Sequence, residues 1–195
     1  MKTKLFFAAI LITITGYAFA SSDSSELTTD LRNFNNFSGL IVNTPANVIL
    51  SQGEKNSIRI EGEKNMVKDI SAKIENGSLI IDGHNNHAVT IHITVQEINL
   101  VTVNGEAKVY ANGPINSDIL LLKVNGNGSI RMDVRTLTVG MIVKGNGKII
   151  VSGSTGDCFS RVIGQGSIYA DNLDANRSER IENLPNSDKR TAIVQ

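Results

Sequence analysis

Cysteine is nearly absent: Cys158 is the only one in 195 residues, so no internal disulfide staples this fold. Cys158 lies in GDCFSRVIG, where alternation places it in the core as a small apolar residue. No histidine stands near it in sequence to serve as the base that a nucleophile needs, which leaves pairing between chains as its other use. An excess of either charge is also missing, since 19 basic residues face 19 acidic ones. Without a basic field there is no electrostatic footprint for nucleic acid. Long hydrophobic runs are missing too. The longest, LFFAAILITITG, is about a dozen residues, too short to cross a bilayer as a helix, which takes about twenty.

That short run has another meaning. MKTK supplies a positive start and AFA supplies small residues at positions 18 and 20, the pattern of a secretory signal peptide over residues 1–20, cleaved after Ala20. A lipid anchor would need a cysteine at the cleavage point, and none is there. Removing residues 1–20 takes away Lys2 and Lys4, leaving 17 basic against 19 acidic residues and a formal charge of 17 − 19 = −2. Residues 21–33 open with a polar, aperiodic stretch expected to be a disordered leader. The remaining length suits one domain with a sizeable core.

What the chain has in quantity is glycine, in a repeat. VNGEAKVYA from Val103, VNGNGSIRM from Val124, VKGNGKIIV from Val143 and VIGQGSIYA from Val162 recur at spacings of 124 − 103 = 21, 143 − 124 = 19 and 162 − 143 = 19. A period near twenty is the signature of a solenoid. Residues within it are β-branched and alternate, as in ILLLKV and GKIIVSG, so the rungs are strands, and no dozen-residue helical stripe separates them. The leucine-rich frame is missing. The expected fold is therefore all-β, a parallel β-helix with about 19–21 residues per repeat and a short helical cap. Val103, Val124, Val143 and Val162 should stack as one internal column, and Val109, Ile130, Ile149 and Ile168 as a second. Gly105, Gly126, Gly145 and Gly164 then mark the bend of every rung, where positive φ or close backbone approach is needed. Glu106, Asn127, Asn146 and Gln165 should ladder outside that bend.

The same G-x-G element invites two other readings. A phosphate loop needs a helix after the glycines, and here a strand follows. A calcium-binding nonapeptide needs a recurring aspartate, whereas Lys108, Ser129, Lys148 and Ser167 occupy that slot.

Upstream, FSGLIVNTPANVILSQGEKNSIRIEGE reads as three short strands broken by Pro45 and Gly53. NMVKDI, residues 65–70, places Met66, Val67 and Ile70 for one or two helical turns that cap one end of the coil. Asn76-Gly77 is a tight hairpin turn. This segment, with Phe37, Val48, Gln52, Gly53, Ser57 and Gly62, then Asn65 to Ile70 and the glycine rungs, resembles the bacterial envelope family named for an autotransporter-adhesin head, the GIN domain. The likeness covers roughly Phe34 to Leu173, within a domain bounded at 34–175. It implies a right-handed β-helix in an exported protein, and it brings no catalytic residues with it. Family rungs read S-G-x-G-D, while here Asn104, Asn125, Lys144 and Ile163 fill the serine slot. Residues 176–195 form a charged tail, expected to be disordered or loosely docked, whose AIVQ end would otherwise suit pairing with an exposed edge or with a partner's sheet.

Three sets of residues are candidates for chemistry. His84, His87 and His92 fall close together with Asp82 nearby, so they are either solvent-facing histidines or a zinc or copper site. Paired carboxylates on successive rungs would mark a carbohydrate-active enzyme; only Asp133 and Asp171 share a repeat offset, two rungs apart. Lys108, Tyr110, Arg131, Lys148 and Tyr169 should face outward as cations and rings suited to acidic or sugar ligands. The expected function is an exported, non-enzymatic adhesion, binding or scaffolding module, located in the periplasm or at the cell surface. It would need no cofactor, and its partner would be a glycan or an envelope or host surface protein. The carbohydrate-active enzyme and the periplasmic metal protein are the alternatives.

Overall fold

Alternating apolar residues bury one side of a strand, so each strand here needs a partner to cover its inner side. In the computed structural model, which describes residues 27–34, 37–84, 89–182 and 192–194, that need is met by winding the chain into a β-solenoid. The elements in order are β1 (Leu27–Asn33), β2 (Gly39–Val42), β3 (Asn47–Gln52), β4 (Ser57–Glu63), α1 (Lys64–Asp69), β5 (Ser71–Glu75), β6 (Ser78–Asp82) and β7 (Thr90–Val95). They continue with β8 (Leu100–Gly105), β9 (Lys108–Gly126), β10 (Ser129–Gly145), β11 (Lys148–Gly164), β12 (Ser167–Glu182) and β13 (Ala192–Val194). The long strands β9 to β12 pair in parallel along almost their whole length. We call the side running into each glycine bend flank A and the side leaving it flank B.

Both expected columns are present and longer than the repeat implies. Val103, Val124, Val143 and Val162 are register partners, and Val42 and Ile81 extend the line. The second column runs Ile60, Ile91, Val48, Val109, Ile130, Ile149, Ile168. Nearly all of these side chains are buried, and each fully buried valine or isoleucine stabilises the coil by about 1.5–3 kcal/mol. The bend glycines Gly105, Gly126, Gly145 and Gly164 have φ of 83°, 119°, 106° and 118°, a region that disfavours any Cβ.

The second glycine of each G-x-G has a different reason. A Cβ on Gly128 or Gly147 would lie 2.6 Å from the carbonyl oxygen of Ala107 or Gly128 one rung away. These residues are glycine because two backbones approach closely there.

Rung order departs from chain order at the start. β2 lies between β6 and β8, and β3 between β7 and β9, so the rung formed by β6 and β7 sits outside the one formed by β2 and β3. Antiparallel strands close this end: β5 on β6 through the Asn76-Gly77 turn (φ 50° and 73°), β4 on β7, and β1 on β4. α1 buries Val67 and packs against β4 and β1, as a cap. Edge backbone groups that would otherwise template aggregation are thereby covered.

Two expectations about the ends need correction. Leu27–Asn33, counted with a disordered leader, forms β1, because the edge of β4 offers unsatisfied backbone groups and Arg32 is fixed by Asp30 (2.7 Å) and by the Ile70 carbonyl (3.1 Å). At the other end, residues 176–182 continue the last rung. Arg177 lies 3.6 Å from Asp157 and its guanidinium sits 5.8 Å from the centre of the Phe159 ring. Ala192–Val194 pairs antiparallel with Ser178–Arg180, so the end of the tail docks on the edge of its own last rung instead of being left loose. The signal segment 1–20 and residues 21–26 lie outside the described residues.

Candidate binding surface

On flank B the residues alternating with the buried column point outward, and the parallel register sets them in rows. One row reads Glu61, Thr90, Asn47, Lys108, Ser129, Lys148, Ser167; the next reads Arg59, His92, Ile49, Tyr110, Arg131, Ile150, Tyr169. The five residues expected to form a face of cations and rings therefore share one flank in two adjacent rows. With rungs about 4.8 Å apart, Lys108 and Lys148 are separated by about 10 Å and Tyr110 and Tyr169 by about 14 Å. Tyr110 is 38% and Tyr169 50% exposed, and all three cations are exposed. Among the described residues, Lys108, Arg131 and Lys148 take no ion pair or side-chain hydrogen bond.

The acid of these rows stands at the capped end. Glu61 is held by Arg59 at 3.0 Å and by His92 Nε2 at 3.1 Å. From Asn47 to Ser167 and from Ile49 to Tyr169 neither row contains an acid.

Beside the rows lies a groove of about 320 Å³ lined by Arg131, Asp133, Ser152, Tyr169 and Asp171 among others. It contains both aspartates that share a repeat offset, but they are out of register. Asp133 pairs with Ser152, and Ser152 with Asn172, because a bulge after Ile150 inserts an extra residue in β12. A bulge re-aims side chains, so counting repeats misplaced Asp171 by one position. A larger concavity, about 750 Å³, lies at another corner, between Asn99, Asn116, Asp118, Ile119, Arg135 and Leu137, and includes none of the expected residues.

His84 and His92 meet different acids. The backbone N–H of His84 donates to Asp69 Oδ2 at 2.8 Å, whereas His92 points from flank B to Glu61. His87 lies outside the described residues, among which no three His, Cys, Asp or Glu side chains are grouped to hold a metal ion.

Sequence reasoning missed a polar ladder on flank A. Asn43 Nδ2 donates to Asp82 Oδ1 (2.6 Å), Asn104 Nδ2 to Asn43 Oδ1 (2.7 Å) and Asn125 Nδ2 to Asn104 Oδ1 (2.8 Å). The signal was visible: Asn104 and Asn125 occupy one slot of the repeat. Of the ladder expected outside the bend, Asn146 donates to Asn127 at 3.3 Å. Cys158 is buried, as expected.

The surroundings of this chain among known proteins agree with the geometry. A structure described as a putative adhesin from Bacteroides fragilis superposes with a TM-score of 0.74 at 21% identity, covering 82% of this chain and 79% of that one. A putative adhesin from Parabacteroides merdae gives 0.64 at 16%, covering 82% and 78%. A protein from Parabacteroides distasonis described as a putative lipid binding protein gives 0.64 at 14%, covering 82% and 79%. At these identities the likeness establishes the β-solenoid fold. No curated protein matches the chain. Among the described residues no helix is long and apolar enough to cross a membrane. Residues 36–180 match the family described as "Putative auto-transporter adhesin, head GIN domain", and the chain belongs to that family.

Proposed function

We propose that this chain is an exported, non-enzymatic adhesion module of the bacterial envelope, with the solenoid as rigid scaffold and the outward rows of flank B as its contact surface. The observation that carries the reading is the alignment on one flank of two exposed rings and three cations that have no ion pair among the described residues. A preformed, regular surface needs little ordering to bind an extended partner. Export is supported by the signal pattern with cleavage after Ala20, and the family and neighbour names support adhesion over catalysis. Asp133 and Asp171 are out of register by one residue, and His84 and His92 meet different acids, Asp69 and Glu61.

Protease treatment of intact bacteria carrying the tagged protein, beside a periplasmic control and a permeabilised sample, tests the reading. Digestion on intact cells with the control protected is expected. Protection until permeabilisation would overturn it in favour of a periplasmic scaffold.

One observation favours a second reading. Gly140 stands between Leu121 and Phe159 on the outside of flank A and opens an apolar notch of about 180 Å³, bordered by Ile142 and Ile181. Such a notch would seat part of an acyl chain, the chemistry named for the Parabacteroides distasonis neighbour. Gly140→Leu, which fills the notch, should then abolish uptake of a fluorescent fatty acid; unchanged uptake removes this reading.

A further inference from the structure

We propose that the flank B strip is a site for a linear anionic glycan, carboxylated or sulfated, lying along the solenoid axis; this deepens the adhesion reading and rests on it. The strip is formed by Asn47, Lys108, Ser129, Lys148 and Ser167 in one row and by Ile49, Tyr110, Arg131, Ile150 and Tyr169 in the next. Its charges are all positive, and none is neutralised among the described residues. A surface with unpaired cations and no internal acid is complementary to a polyanion.

Shape narrows the class. The two rows stand about 6.6 Å apart, and Lys108 to Ser167 spans three rungs, about 14 Å. That is the footprint of a single extended polymer chain, too narrow to lay against a membrane. Arg131 lies on the rung midway between Lys108 and Lys148, in the other row, so the cations stagger along the axis and would meet successive charges on alternate sides of the chain. A guanidinium binds a carboxylate or sulfate through two parallel hydrogen bonds, which a lysine cannot do.

The rings supply the second half of the recognition. Tyr110 and Tyr169 offer flat apolar surface with a polar tip, suited to the C–H face of a sugar ring, and Asn47, Ser129 and Ser167 offer hydrogen bonds to hydroxyls. A phosphate-dense nucleic acid is disfavoured by the balanced charge of the whole chain. Asp133 and Asp171, in the groove that Arg131 and Tyr169 also line, would repel a polyanion that strayed across the strands and so keep it along the rows.

The test uses the purified chain without residues 1–20, with heparin as sulfated probe, polygalacturonate as carboxylated probe, dextran as neutral control, and phosphatidylglycerol–phosphatidylcholine vesicles. Binding of at least one acidic polymer, weakening with added salt and absent for dextran, is expected; which probe binds identifies the anion. Arg131→Ala and the double variant Lys108→Ala/Lys148→Ala should each lose about tenfold in affinity. Lys123→Ala, on flank A, should lose nothing, and Arg131→Lys should recover part of the loss. Circular dichroism confirms that each variant is folded.

Wild-type affinity in the flank B variants, equal binding of dextran, or vesicles outcompeting both polymers would overturn the assignment. Surface exposure without polyanion binding sinks this inference alone. Periplasmic protection sinks the adhesion reading even where the purified protein binds.

Discussion

Replacing Gly147 by alanine tests the fold at its tightest point. Gly147 has an ordinary φ, so alanine brings no backbone strain; the cost is steric. The added methyl would lie 2.6 Å from the Gly128 carbonyl oxygen and 3.0 Å from that of Gly126, and would also meet a methyl of Val124. The oxygen of Gly128 accepts from Lys148 N, and that of Gly126 from Asn146 N and Gly147 N, so neither can retreat without loosening the bend. Overpacking of this kind costs about 1–3 kcal/mol, which for a domain of this size lowers Tm by roughly 3–10 °C. Gly113 is the control. Its φ is 99° but a methyl there would meet nothing, so Gly113→Ala isolates backbone strain of about 1–2 kcal/mol. Thermal melts followed by circular dichroism, with urea titrations for the free energies, separate the two. The first repeat carries a buried Ala107 at this slot, so the close approach applies to the bends stacked on it, at Gly128 and Gly147. A Gly147→Ala protein as stable as the parent would refute the close-approach argument.

Other outcomes follow from single contacts. Asn104→Ala breaks two links of the ladder and should cost about twice what Asn125→Ala costs, each link contributing about 0.5–1.5 kcal/mol; urea midpoints decide it. Burial pushes the Cys158 thiol up, against a smaller lowering by its bond to Ser178. The native protein should therefore resist a thiol reagent that labels it in denaturant. With the folded pKa raised, this group's contribution is full below the unfolded thiol's pKa and is lost as pH rises from there through the raised folded value, a slope that Cys158→Ala should flatten. Deleting residues 192–195 uncovers the Ser178–Arg180 edge and should increase self-association in analytical ultracentrifugation.

The repeating half of the fold was legible because a nineteen-residue period fixes register. Once Val124 and Val143 are aligned, the inward and outward positions around the bends follow, including Tyr110 beside Arg131 on one flank, as far as the bulges after Arg131 and Ile150. The first half was not legible to the same depth. β2, β3, β6 and β7 lack the G-x-G bend, so nothing in their residues states that β6 and β7 stack outside β2 and β3. Ile49 and His92 therefore could not be placed in the row of Tyr110, although their alternation already pointed them outward. Leu27–Asn33 escaped because its pairing runs through the backbone, which polar residues perform as well as apolar ones. Asp171 was misplaced because a bulge adds a residue without changing the period.

The stacking order bears on how strongly each ring should bind. Tyr110 has Ile49 on one side and Arg131 on the other, so its rung is supported from both directions; Tyr169 stands in the last rung, with Ile150 on one side. β11 pairs with Ser167–Tyr169 on one side, and β13 covers only Ser178–Arg180 of that rung, so the outer edge of Ser167–Ala170 has no second partner strand among the described residues. A ring held by two neighbours keeps its orientation at lower entropic cost when a ligand lands on it. Tyr110→Ala should therefore weaken binding of the acidic polymer more than Tyr169→Ala, although Tyr169 is the more exposed of the two. Titrating both variants with the probe that binds the parent gives the comparison. If Tyr169→Ala costs more, contact area and not support from neighbouring rungs sets the affinity; if neither change weakens binding, the rings take no part in it.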